Sequence, residues 1–339
     1  MSITHPPPVS HWYEENFASL PYDTSEYLQL SVKDIHNKLN SVVIGQAEAT
    51  KNAAMQMYLA LHNHRSVYAY IGHTASGKTY MFEQLSKLFP GFCYVIDASG
   101  LTAEGILGAK KWSSLLSPVR PHSPALVVLD EIDKSLATHI VSSGENINQT
   151  VMNEGLSILQ GTMLDIYCDK KKLHTLDTNR LSFALTGAFS NTAKEVAKAA
   201  STSIGFGASD TKEAPYEEPF DYDTLREHGL TEEFCGRINK IITLNNLDES
   251  TYLRMLNDES SGPIKKLQNE YNIKFHLPNS LKEEIATEAF ESQLGTRYVI
   301  SQLQNLIEEA IYEDSDTDYV EKLKDDGFVD ATYLETPFD

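Results

Sequence analysis

The chain has 339 residues, 41% hydrophobic and 22% charged, and its 48 acidic against 28 basic residues give a formal net charge of −20 at pH 7. A charge of that sign and size repels phosphate backbones, which argues against a nucleic-acid partner and for protein partners. The length favours two domains over one core.

No apolar run is long enough to cross a bilayer, and the polar start MSITHPPPVSHWYEE lacks the form of a secretory signal, so a cytoplasmic protein without a membrane partner is expected. Cys93, Cys168 and Cys235 form no CxxC pair, which argues against a disulfide framework or a structural zinc site.

Residues 1–31 mix Pro6, Pro7 and Pro8 with scattered aromatics and read as an N-terminal arm. From Val32 to His64 the apolar residues recur at helical spacing. VYAYIG (67–72) then runs into GHTASGKT (72–79) and the helical TYMFEQLSKLF, and further apolar runs follow at CYVIDA (93–98), ALVVLD (125–130) and LSFALTG (181–187). Buried strands alternating with helix-length segments predict an α/β fold, a three-layer domain built on a parallel sheet, over 32–245. Residues 201–222 read as a long loop. The segments ESTYLRMLND, GPIKKLQNEYN, SLKEEIATEAF and TRYVISQLQNLIEEAIYE predict a small, mainly helical domain over 246–315, with KFHLP as a short strand candidate, before an acidic tail at 316–339.

Gly72 and Gly77 frame a loop whose backbone N–H groups can converge on phosphate oxygens at the positive end of the next helix. Within this loop, Gly72, His73, Thr74, Ala75, Ser76, Gly77, Lys78, Thr79 and Tyr80 are the candidate nucleotide-binding residues. Lys78 would reach the β- and γ-phosphates, and the Thr79 hydroxyl would ligate magnesium. Asp130 ends an apolar strand, where its carboxylate could hold magnesium through water. Glu131 stands one residue on and could polarise an attacking water as general base. Asp133 reads more simply as a helix cap. ATP and Mg2+ are the expected cofactors, and a carboxylate at position 131 points to hydrolysis rather than to nucleotide sensing.

With these residues in place the chain resembles the AAA+ ATPases, and within them the ClpX-type unfoldases, from about Leu39 to Glu313. VVIGQAEA, with Ile44, Gly45 and Gln46, is similar to the family's adenine-side segment. LTGAFSN places Thr186 at the sensor-1 position. LTEEFCGRINK resembles the arginine-finger box and makes Arg237 the finger. QLGTRYVISQL resembles the start of the sensor-2 helix and makes Arg297 its arginine. Guanidinium groups suit charge spreading over γ-phosphate oxygens because they do not deprotonate. The resemblance implies that Arg237 acts in trans and Arg297 within its own subunit, so that the chain forms a homo-hexamer acting on protein substrates. Ile204, Gly205 and Phe206, in SIGFGAS, stand where such proteins dock on a ClpP-like peptidase ring.

Several positions depart from the family pattern. The substrate-gripping loop reads Gly105-Ile106-Leu107-Gly108, with Ile106 in place of an aromatic residue, which offers less contact area. Ala75 replaces a usual glycine, which costs roughly 1 kcal/mol if the position needs a positive φ, and His73 stands where proline is common. Lys170, Lys171, Lys172 and His174 either form a basic pore-entrance loop or a solvated hairpin tip. No cysteine precedes Cys93, so the family's N-terminal zinc-binding module is not expected. The sequence therefore supports an ATP-driven unfoldase that hands substrate to a peptidase, with a peptidase-independent remodeller or a nucleotide-gated scaffold as alternatives.

Overall fold

The structure is a computed structural model that describes residues 25–102, 110–137, 147–168, 171–189, 220–272, 274–275, 277–292, 294–314 and 328–329. Its centre is a five-stranded parallel sheet of β1 (Val67–Ile71), β2 (Cys93–Asp97), β3 (Ala125–Asp130), β6 (Leu181–Gly187) and β7 (Lys240–Thr243), in the order β2-β3-β6-β1-β7. Strands β4 (Met163–Cys168) and β5 (Lys171–Asp177) form a separate antiparallel pair. Every residue of β3 and of β6 is buried. Successive strand side chains point to opposite faces, so both faces of the sheet are covered, as the continuous apolar runs predicted.

Register brings the carboxyl ends of the strands level. Asp97 pairs with Asp130, Leu129 with Leu185, and Ile71 with Gly187. Gly72, Asp130 and Thr186 are thereby delivered to the same edge, the usual place for a ligand in such sheets. The apolar core runs through Val127, Leu129, Phe183, Leu185 and Phe234.

The helical pattern expected from Val32 to His64 is interrupted: helices span Val32–Asn40 and Ala47–Leu61, with a break between them. Gly45 lies in that break at φ +85°, a conformation that L side chains rarely adopt, and a Cβ there would meet Thr251 Cγ2 at 2.8 Å. Apolar spacing continued across the break, but the backbone did not.

The chain divides into two compact units. One comprises residues 1–40, 48–72 and 78–244, and the other 41–47, 73–77 and 245–339. In the second, helices Glu249–Asn257, Pro263–Tyr271, Asn279–Glu291 and Thr296–Asp314 enclose a core of their own. Ile285 and Ala289, then Val299, Leu303 and Ile307, recur at four-residue spacing and bury one face of each of the last two helices. The KFHLP candidate appears as Lys274–Phe275, paired in parallel with Phe328–Val329.

Candidate functional site

In the sheet-bearing unit, Lys78, Thr79, Asp130, Glu131 and Thr186 come together at the carboxyl edge of the sheet. The link runs through Asp130, which is buried. Thr79 Oγ1 donates to its Oδ2 at 2.7 Å, and Thr186 Oγ1, fully buried on β6, donates to its Oδ1. Lys78 opens the helix Lys78–Leu88, and its Nζ donates to the Gly72 carbonyl at 2.6 Å. Thr79 is exposed while its hydroxyl touches a buried carboxylate. Two hard oxygen donors placed side by side, one of them open to the outside, suit an oxygen-seeking cation such as magnesium. The residues present fit the group that the motif implies.

Glu131 holds a left-handed backbone, φ +54°, and its carboxylate Oε2 lies 2.6 Å from Lys134 Nζ. Lys134 gave no signal in the sequence beyond its spacing of three. The bond to Glu131 pushes its ammonium pKa upward.

Asp133 does not cap its helix. The helix Asp133–Leu136 begins after Ile132 with no side-chain cap bond, and the Asp133 carboxylate instead accepts from the backbone N–H groups of Ala188 and Phe189 at 3.0 and 3.1 Å. The helix-cap expectation is corrected accordingly: two strand-end amides outcompete the short helix for the oxygen.

The remaining phosphate-loop residues, His73 to Gly77, belong to the other unit, together with Ile44, Gly45 and Gln46. Gln46 is only 1% exposed. Its Nε2 donates to the carbonyls of Ser76 (2.9 Å) and Asn245 (2.8 Å), and its Oε1 accepts from Asn245 N at 2.9 Å. Ala75 takes φ +66° and Gly77 φ +91°, so the loop does require left-handed backbone where alanine replaces the usual glycine. Gly295, at φ +58°, abuts Ala75: a Cβ at 295 would lie 3.2 Å from that of Ala75. Arg297 follows two residues later, exposed in the first turn of Thr296–Asp314.

Arg237 is exposed just beyond the short helix Glu232–Cys235, and its Nε donates to the Gln160 side-chain oxygen at 3.0 Å once that amide is turned to face it.

Gly105 to Gly108 and Ile204 to Phe206 lie outside the described residues, as does Lys170. Both feet of the first of these segments are described and pinned. Lys110 Nζ donates to the Asp97 carbonyl at 2.9 Å and to its carboxylate at 2.5 Å, while Thr102 N donates to Lys110 O at 3.0 Å. The Lys110 ammonium holds the Asp97 carboxyl down at about 2. In the β4–β5 hairpin Lys172 pairs with Asp165 at 2.7 Å, and burial lowers the His174 pKa. Among the described residues no group of three or more His, Cys, Asp or Glu is arranged to hold a metal, and no helix is long and apolar enough to cross a membrane.

A parallel sheet that brings the Lys-Thr pair opening a helix, a strand-end Asp-Glu pair and a buried threonine to one edge is the frame of a nucleotide-hydrolysing domain. Residues 41–241, more than half of the chain, match the family model of the AAA domain (Cdc48 subfamily), and the chain belongs to that family of ATPases. Within it the resemblance is to ClpX. The chain is 27% identical to the ATP-dependent Clp protease ATP-binding subunit ClpX of Treponema denticola, over 83% of this chain and 76% of that protein. It is 26% identical, with the same coverage, to the protein of the same name in two strains of Bacteroides fragilis.

Proposed function

We propose that this ATPase is a ring-forming, ATP-driven protein unfoldase or remodeller of ClpX type that works as a homo-hexamer and delivers substrates to a ClpP-like peptidase. The observation that carries the reading is Glu131, placed directly after an Asp130 that is itself hydrogen-bonded to Thr79 and Thr186. A nucleotide-gated scaffold has no need of a carboxylate there, and a hydrolase does.

Bound Mg–ATP would supply the phosphoanhydride to be cleaved and a cation to neutralise it. Thr79 and Asp130 would hold the cation, Lys78 would turn from the Gly72 carbonyl toward phosphate, and the amides of the loop from Gly72 to Thr79 would cradle the anion. Glu131 would orient water and take its proton. Thr186 keeps Asp130 oriented. Arg297 shares a compact unit with loop residues 73–77, which supports a contact with nucleotide in its own subunit. Exposure of Arg237 suits a finger offered to a neighbouring subunit.

The test is Glu131→Gln, which should bind ATP but turn over at least ~100-fold more slowly, the scale for losing a general base. Undiminished turnover would take the general-base role away from Glu131. Mixed rings of Arg237→Ala and Lys78→Ala subunits should regain hydrolysis that neither has alone, because such rings contain intact composite sites. Failure of verified mixed rings to do so would remove the trans assignment.

Peptidase delivery draws support from the relatives, which are named as ATP-binding subunits of a protease. The aliphatic Ile106 favours a second reading, a remodeller that works without a peptidase, since a smaller side chain grips an extended chain less well. Phe206→Ala separates the two: loss of a co-purifying peptidase with ATPase activity retained supports delivery, and unchanged complexes support remodelling.

A further inference from the structure

We propose that Asp133 is a positioning residue for the base: its buried carboxylate latches the turn after β3 to the end of β6 and thereby fixes the backbone of Glu131. The proposal rests on the reading of Glu131 as general base. Glu131 sits at φ +54°, and a side chain persists in that region only where its surroundings over-determine it. Two sets of bonds do so. Ile132 N donates to the Thr186 carbonyl at 3.1 Å, and Asp133 Oδ2 accepts from Ala188 N and Phe189 N at 3.0 and 3.1 Å. Glu131 is thus followed at once by two residues tied to β6 or its exit.

The fit around the latch is close. Asp133 is 7% exposed, and a Cβ on Gly187 would stand 2.5 Å from its Cγ, so only glycine leaves the carboxylate its place. Phe189 is itself left-handed at φ +46°. Its ring meets that of His228 edge-on at 5.3 Å, and His228, 5% exposed, places Nε2 3.1 Å from the Asp133 carbonyl. A buried carboxylate that merely stabilised the fold could be spent anywhere; this one joins the base-bearing turn to the strand that carries Thr186.

The experiment compares Asp133→Ala, which removes the acceptor, with Asp133→Asn, which keeps an oxygen of the same reach. Asp133→Ala should lower kcat by ~30-fold, the scale of a misplaced catalytic group, while KM for ATP changes by less than ~3-fold. Asp133→Asn should keep kcat within ~3-fold of the parent. In a Glu131→Gln background the further Asp133→Ala change should lower turnover by less than ~2-fold, because its effect passes through the missing base. The proposal is overturned if Asp133→Asn falls as far as Asp133→Ala, if KM rises in step with the loss of kcat, or if the two substitutions multiply. Should Asp133→Ala fail to fold, Gly187→Ala displaces the carboxylate instead and must show the same kcat-selective loss. Full turnover in Glu131→Gln alone would instead remove the base assignment, and with it the proposal.

Discussion

Lys134 holds the carboxylate of Glu131, Nζ to Oε2 at 2.6 Å, one helical turn further along the chain. The two side chains are 59% and 41% exposed, and an exposed pair contributes at most about 1 kcal/mol, which sets a ceiling of roughly fivefold on any rate it controls. With Glu131 as the proposed general base, hydrolysis would need that carboxylate free for water. Lys134→Met should therefore raise steady-state turnover by up to ~5-fold, with ATP affinity unchanged. A loss exceeding tenfold would mean that Lys134 itself takes part in the reaction. The pair also has a pH signature. The lysine pKa is raised in the folded protein, so its contribution to stability is complete below the ordinary lysine range and fades as pH climbs through the elevated value.

Gln46 offers a sharper test, because its amide does two jobs with one nitrogen. In Gln46→Glu a carboxylate oxygen would face the Ser76 and Asn245 carbonyls that Nε2 now serves. Leaving buried acceptors unmet costs about 1–3 kcal/mol, and nucleotide affinity should fall by ~10-fold or more as Ser76 loses its tether. Part of the loss should return as pH is lowered toward 5, since the protonated acid regains one donor. Isothermal titration with ADP at two pH values decides it: equal, parent-like affinities would show that the tether has no bearing on the loop.

Ala75 carries the left-handed backbone that glycine accepts freely. Ala75→Gly should relieve about 1 kcal/mol of strain, which for a domain of this size corresponds to a rise of about 2–4 °C in Tm without nucleotide. The greater freedom of glycine in the unfolded chain subtracts from that figure, so a rise at the lower end is expected. A fall in Tm would show that the methyl group contributes more through its contact at Gly295 than it costs in strain.

The Asp97–Lys110 pair gives a pH prediction of opposite sign to that of Lys134. The carboxyl, at about 2, lies below its unfolded value near 3.8, so the pair contributes fully above that value and is lost as pH falls through about 2. NMR titration should find the Asp97 midpoint near 2 in the parent and back in the ordinary carboxylate range in Lys110→Met. An unshifted midpoint in the variant would assign the depression to Ser99, whose side chain and backbone also favour the charged form.

What could be read from the sequence divides along physical lines. Strands ALVVLD and LSFALTG announced themselves because residues buried on both sheet faces must be apolar throughout, and the similar runs VYAYIG and CYVIDA were read with them. The hairpin strand KKLHTLD did not, since its paired lysines and partly buried middle resemble a loop. Strand KIIT begins on the last residue of the segment read for Arg237, and the reading stopped there. Phosphate loop, Asp130, Glu131 and Thr186 were all legible because motif chemistry is local. The bonds that orient them were not. Gln46 and Asn245 are 199 positions apart, and Asp133 and Phe189 are 56 apart; nothing in the residue types says that they meet. Gln160, which faces Arg237, left no trace in the pattern at all.

Asn245 is the first residue of the longest piece of the helical unit, yet its N–H and its C=O both end on Gln46, and its side-chain Nδ2 donates to the Gly45 carbonyl at 3.1 Å. The unit is therefore not a module in the sense that a cloning boundary would need. A fragment cut at this residue would start with three severed bonds and would lack the Ala75 methyl that Gly295 abuts. Grafting the helical unit between relatives would have to carry 41–47 and 73–77 with it, so that part of the phosphate loop travels with the helices rather than with the sheet. Substitutions that tune the one can then be expected to require matching changes in the other, and the two would be inherited as a set.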